Sequence, residues 1–171
     1  MISKQTLLET SARKFMPKLF AGVHDDQLGR VKQYISLYTR QELPQGETTR
    51  ILKDAASSQG KMIRPRLVIM AGSYGIQTDD VRERLYKLGA VVEMTHLASL
   101  IHDDIVDDAP FRRGKPSVQR KYGKNAAVYA GDFLMSRLMY ILMKETMVDA
   151  GMKLAKAIEG MCTGEIGQSL S

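Results

Sequence analysis

Between His102 and Pro116 the chain reads HDDIVDDAPFRRGKP, so Asp103, Asp104, Asp107 and Asp108 are followed closely by Arg112 and Arg113. Carboxylates are hard oxygen ligands, and guanidinium groups make forked hydrogen bonds to phosphate oxygens. The two halves of this stretch therefore suit a divalent cation and a phosphate respectively. At about 100° per residue, a helix would put His96, Asp103 and Asp107 on one narrow stripe, with Ser99 and Asp104 on its flanks. Like charges one turn apart cost roughly 0.2–0.5 kcal/mol per pair, and negative charge at a helix C-terminus opposes the macrodipole. Something cationic should offset this. Two readings follow: a solvated acidic helix end, the usual fate of a charge run, or a cation site. The preceding GAVVEMTHLASLI is too apolar for a solvent-facing helix and favours aspartates delivered to a cavity. Mg²⁺ is the ion expected there, because it shares octahedral oxygen ligands between a few carboxylates and phosphate oxygens. Lys115 adds a point charge. RRGK alone would read as a surface basic patch, but only APF separates it from the aspartates.

Further segments stand in order along the chain: GKMIRP, EMTHLASLIHDD, YAGDFLMSR and GEIGQ. Together with the aspartates they resemble the trans-prenyltransferases, the all-α polyprenyl diphosphate synthases, over about Ala55 to Gln168. Asp103, Asp104 and Asp107 match that family's first aspartate-rich motif, DDxxD, and Arg112 and Arg113 match the arginine pair after it. The resemblance implies catalytic roles for the three aspartates, with Mg²⁺ held by Asp103 and Asp107 and supported by Asp104. It implies an allylic prenyl diphosphate gripped by Arg112, and isopentenyl diphosphate held by Lys61, Arg64, His96 and Arg113. The allylic C–O bond would ionise, the isopentenyl double bond would attack, and loss of a proton would complete a five-carbon extension. The family's growing tail runs beneath the first motif and is stopped by bulk four or five residues before it. Ser99 and Ala98 occupy those positions and are small, which implies a medium- or long-chain all-trans product.

Each residue has a plainer alternative. Lys61 and Arg64 by themselves read as solvated cations before a helix, and His96 as a hydrogen-bonded core histidine. Met135, Met139, Met143 and Met147 recur every four residues, as a tunnel wall or as ordinary core. His102 and Asp103 could also be read as the HD pair of a metal-dependent phosphohydrolase, but the sequence has only three histidines. Relative to the family pattern, Met62 stands where a basic residue is common and Pro110 lies in the loop before the arginines. The family's second aspartate-rich motif does not occur before Ser171. The expectation is the N-terminal part of a polyprenyl synthase, inactive as an isolated chain. The alternative is a non-catalytic subunit or regulator that pairs with a complete synthase.

Apolar residues recur at steps of three and four, and alternating β-branched runs are scarce, so the elements that carry these residues are helices. The expected fold is all-α, a helical bundle of the isoprenoid synthase type lacking that fold's C-terminal half, in one domain over residues 1–171. Helices are expected at Lys4–Leu19, Gln27–Glu42, Thr48–Ser58, Pro65–Tyr74, Asp79–Asp107, Asp132–Val148 and from Met152 onward. The chain has 171 residues, 44% of them hydrophobic, enough for a core of its own. A net charge of +6 favours anionic partners and leaves phosphorylated small molecules, nucleic acid and acidic membranes open; the resemblance implies diphosphates and no nucleic acid. The single cysteine, Cys162, excludes an internal disulfide, and the start MISKQTLLET lacks the pattern of a secretory signal, giving a cytoplasmic expectation. No membrane span is expected, though a peripheral membrane contact would suit product release. A homodimer or heterodimer is expected from the resemblance.

Overall fold

The computed structural model describes residues 20–40, 43, 46–57 and 60–170. The expected helix at Lys4–Leu19 lies outside them. Among the described residues there are seven helices: α1 Asp25–Arg40, α2 Glu47–Ser57, α3 Ile63–Gly72, α4 Asp79–Val106, α5 Val118–Tyr122, α6 Lys124–Lys144 and α7 Val148–Ser169. A minimal hairpin, β1 Phe111–Arg112 and β2 Lys115–Pro116, interrupts them. The all-α expectation holds, with this hairpin as an addition. The chain divides into two compact units, residues 1–34 with 60–90, and residues 35–59 with 91–171.

In the first unit, Leu28, Val31, Pro65, Ile69 and Ala90 are buried. Glycine permits the close approaches. A Cβ on Gly72 would lie 2.3 Å from Leu85 Cδ1, and one on Gly89 would touch Val31 and Pro65 at 3.4 and 3.5 Å. At the rim, Glu83 accepts from Tyr34 at 2.5 Å and from Arg30 at 2.6 Å. Helix α3 begins after Met62, whose backbone is left-handed at φ 52° and ψ 39° while its side chain is 3% exposed. Burying that long apolar side chain offsets the steric cost of the left-handed region. Pro65 sits in the first turn, where its missing N–H needs no partner.

In the second unit, α6 packs on α5, α7 and α2. Helix α6 starts at Lys124, eight residues before the expected Asp132, and ends at Lys144 rather than Val148. Its first turns bury Ala127, Ala130 and Gly131, small residues that continue the three-and-four spacing through Leu134, Leu138, Ile141 and Leu142. Small residues contribute weakly to apolar periodicity, so the spacing alone does not show this start. By length and mean hydropathy α6 could cross a membrane. One face of it is buried against helices of its own unit, while Tyr129, Met139, Tyr140 and Met143 are exposed. The methionine stripe is not uniform core: Met139 and Met143 are exposed, Met135 is half-buried and Met147 is buried. Helix α7 buries none of its residues, and Met152, Met161 and Ile166 are exposed along it.

A polar tie joins α2 to α5. Asp54 Oδ2 accepts from Lys121 Nζ and, at 2.5 Å, from the Tyr122 hydroxyl. These donors, Lys121 foremost, hold the Asp54 carboxyl below its ordinary value of 3.8. A depressed folded-state pKa stabilises the fold above the unfolded value, and this contribution is lost as pH falls through the folded one. Asp54→Asn is therefore expected to lower the melting temperature at neutral pH and to match the parent once pH drops well below 3.8. Parallel melting curves with the same pH dependence in both proteins would contradict the assignment.

Candidate functional site

Helix α4 carries the aspartates to its C-terminal end, and its segment upstream is buried as the sequence requires. Val91, Met94, Leu97 and Ala98 are at most 1% exposed. The four carboxylates then take different surroundings. Asp104 is 4% exposed and one of its oxygens accepts both Arg112 Nε at 2.8 Å and Arg112 Nη2 at 2.5 Å. Asp108, just past the helix, pairs with Lys124 Nζ at 3.0 Å. Asp103 and Asp107, one turn apart, are exposed. Although the residue is exposed overall, partial desolvation of its carboxyl foremost, then the Glu165 carboxylate of α7, raises Asp103 above its ordinary value; Asp107 and Asp104 push the same way and Arg112 pushes against them. Asp104, through its hydrogen bond, in turn raises the Arg112 guanidinium.

The chain turns sharply after α4. Ala109 N–H donates to the Asp104 carbonyl at 2.9 Å, and Asp108 adopts a left-handed φ of 49°. The hairpin pairs Phe111 with Pro116 and Arg112 with Lys115, which leaves Arg113 and Gly114 as its two-residue loop. Both have positive φ, 53° and 77°, the pattern of a type I′ turn. Glycine takes this without cost, whereas arginine does not. Arg113 is thus held exposed at the turn tip in a strained conformation, and Arg112, on β1, points to Asp104. Ser117 caps α5, accepting from Arg120 N–H at 3.2 Å, and its N–H reaches the Pro110 carbonyl at 3.0 Å.

The remaining expected residues are dispersed. His96 is half-buried on α4, and Ser99 Oγ donates to its carbonyl at 2.9 Å. Ala98 is fully buried and Ser99 half-buried. Lys61 and Arg64 are exposed at the start of α3 and belong to the first unit. His102, assigned no role by the motifs, reaches Asp132 Oδ1 at 3.3 Å rather than any carboxylate of its own helix. A Cβ on Gly131 would fall 2.3 Å from His102 Nε2, so the glycine of YAGDF is the space that admits this ring. The motifs assigned no role to Glu165, although it lies in the recognised GEIGQ segment. Beside the hairpin, a cavity of about 420 Å³ is lined by Leu97, Leu100, Ile101, Asp104, Arg112 and Lys121 among others. Asp103 and Asp107 are not among its lining residues.

The donor set fits a hard divalent cation in a limited way. Among the described residues no group of three or more His, Cys, Asp or Glu side chains is placed to hold a metal ion. Asp103 and Asp107 could offer two carboxylates under an excess of negative charge, a set that suits only an ion taking its other ligands from phosphate and water.

Residues 45–171 match the family model for polyprenyl synthetase. The chain is 37% identical over 144 residues to heptaprenyl diphosphate synthase component 2 of Geobacillus stearothermophilus, covering 84% of this chain and 43% of that protein. It resembles the crystal structure of a polyprenyl synthase from Caulobacter crescentus CB15, complexed with calcium and isoprenyl diphosphate. That likeness has a TM-score of 0.75 at 26% identity and covers 86% of this chain and 43% of the other. A decaprenyl diphosphate synthase from Rhodobacter capsulatus gives a TM-score of 0.75 at 25% identity, covering 87% and 45%. The chain thus spans less than half the length of each of these relatives.

The strain at the turn tip has a measurable consequence. Asparagine tolerates the left-handed region better than arginine, so Arg113→Asn is expected to raise stability by on the order of 0.5–1 kcal/mol in denaturant titrations. An unchanged or lower stability would show that no strain is stored there.

Proposed function

This chain belongs to the polyprenyl synthetase family, and from that premise we propose that it binds an allylic prenyl diphosphate and isopentenyl diphosphate for chain elongation. The proposed product is a medium- or long-chain all-trans polyprenyl diphosphate. One observation carries this reading: two exposed carboxylates one turn apart, crowded by further negative charge, in the same unit as the Arg112–Arg113 hairpin. Asp103 and Asp107 would hold Mg²⁺, which when bound supplies positive charge to the departing diphosphate.

The chain's own residues supply orientation and charge. Asp104, buried and bonded to Arg112, fixes the guanidinium that is proposed to grip the allylic diphosphate. Arg113 at the turn tip and His96 are the proposed ligands of isopentenyl diphosphate in this unit. As the allylic C–O bond breaks, its electron pair goes to the diphosphate. The isopentenyl double bond then forms the new C–C bond, and the proton lost is proposed to go to the released diphosphate. No nucleophilic side chain is required, so the protein's contribution is binding, alignment and charge.

A second reading is favoured by the Geobacillus relative, which is named as one component of a synthase. We propose that this chain also works with a partner chain. The exposed Met152, Met161 and Ile166 of α7 are consistent with such an assembly.

Calorimetry tests the first reading. The affinity of the chain for farnesyl diphosphate is expected to rise at least about tenfold, or ~1.4 kcal/mol, on adding Mg²⁺. Asp103→Asn with Asp107→Asn should remove that gain without unfolding the chain. No gain in the folded parent would overturn the proposal. Product length is tested by fusing the chain to the C-terminal part of the Geobacillus relative. Because Ala98 is fully buried while Ser99 is half-buried, Ser99→Phe is the less disruptive obstruction. It is expected to shorten the products seen by chromatography, and an unchanged distribution would remove Ser99 from the tail's path.

A further inference from the structure

We propose that Gln119 is a positioning residue for this site, setting how the arginine hairpin leaves the end of the aspartate helix; the inference rests on the diphosphate reading above. Gln119 lies on α5 and is 8% exposed. Its side-chain amide Nε2 donates both to the carbonyl of Asp104, in the last turn of α4, and to the carbonyl of Ala109 at 3.1 Å. One amide therefore spans the corner between the helix that carries Asp103 and Asp107 and the hairpin that carries Arg112 and Arg113.

Neither carbonyl needs Gln119 merely to be satisfied. The Asp104 carbonyl already accepts Ala109 N–H at 2.9 Å, and the Ala109 carbonyl already accepts Ser117 Oγ at 2.7 Å. What Gln119 adds is a side-chain link between the two carbonyls, beside the direct Ala109 N–H bond to Asp104. An apolar side chain of equal length would fill the same space with no buried amide to desolvate, but it would remove this link and leave the corner to its backbone and Ser117 bonds. The corner contains Asp108 in a left-handed conformation, held by its own N–H to the Ile105 carbonyl at 3.3 Å and by Ala109 N–H to the Asp104 carbonyl, and Gln119 is the side chain that reaches both ends of this turn. The same residue, Asp104, is tied twice: its carbonyl to Gln119 and its carboxylate to Arg112. A change in the corner angle would therefore shift the guanidinium relative to Asp103 and Asp107. Misplacement of a charged ligand by about 1 Å is enough to weaken a preorganised site severalfold or more.

The test uses the full chain, inorganic pyrophosphate with Mg²⁺ as probe, and the variants Gln119→Met and Gln119→Asn. Methionine keeps the length without donors; asparagine keeps an amide too short to span both carbonyls. Both are expected to bind pyrophosphate about tenfold more weakly than the parent, well below their melting temperatures. The Arg112 Nε–H resonance should lose its protection from exchange in both. Ile141→Val, in the core of α6, serves as a comparator: it should lower the melting temperature while leaving affinity and the Arg112 resonance unchanged. Parent-like affinity in both folded Gln119 variants would overturn the proposal. So would an equal loss of affinity in Ile141→Val, because destabilisation alone would then explain the effect. A parent chain that binds no pyrophosphate with Mg²⁺ would overturn the diphosphate reading and this inference together, while a variant that fails against a binding parent isolates the inference.

Discussion

The arrangement of the second unit depends on the negative charge gathered at the C-terminal end of α4. A helix end already presents its carbonyl dipoles, and four aspartates in six positions add to that potential. Two of the four are neutralised within the protein, Asp104 by Arg112 and Asp108 by Lys124. Asp103 and Asp107 alternate with these and face outward, and Glu165 approaches Asp103 from α7. The unit therefore removes the charge that would unwind the helix end and leaves a concentrated pair. A carboxyl raised by burial and by like charge stands in an environment that disfavours its ionised form, and a divalent cation reverses that preference.

Strain is placed where this charge has to be answered. Among the described residues, Met62, Asp108, Arg113 and Thr146 are the non-glycine positions with left-handed backbone. Asp108 turns the chain off the helix, Arg113 presents its guanidinium at the hairpin tip, and Met62 lies between Lys61 and α3. Three of the four thus adjoin or carry the residues expected to meet diphosphate. Each is restrained by something specific nearby: Met62 by burial, Asp108 by the Ala109 and Gln119 bonds to the Asp104 carbonyl, and Arg113 by hairpin pairing on both sides.

The parts of this design that were legible in the sequence are those that repeat along the chain or carry charge. Three-and-four spacing identified the helices, and the apolar run before Asp103 identified a buried helix that ends in carboxylates. The start of α6 was not legible because Ala127, Ala130 and Gly131 are buried for their smallness, which no hydropathy pattern registers. The reason for Gly131 is a histidine far away in the chain, at position 102, and only the packed helices bring the two together. Gln119 and Glu165 were missed for the same kind of reason. An isolated glutamine on a five-residue helix has no local pattern, and the effect of Glu165 on Asp103 acts between residues 62 positions apart in the chain. The methionine spacing was legible but its meaning was not, since Met139 and Met143 are exposed while Met147 is buried.

Arg112 shows how one side chain can serve both the fold and a ligand without conflict. Its Nε and Nη2 both donate to a single oxygen of Asp104, which anchors the guanidinium plane and keeps a nearly buried carboxylate paired. A guanidinium carries more N–H groups than those two bonds consume, and the rest lie along the edge turned away from Asp104. The diphosphate proposed for this site would therefore engage Arg112 without breaking the ion pair, and no buried carboxylate would be left unpaired. A lysine in the same place would have to divide a single point charge between Asp104 and the ligand, with no plane to fix its direction. The arginine's geometry, more than its charge, joins the acidic helix end to the basic hairpin and leaves N–H groups of the guanidinium unused by Asp104.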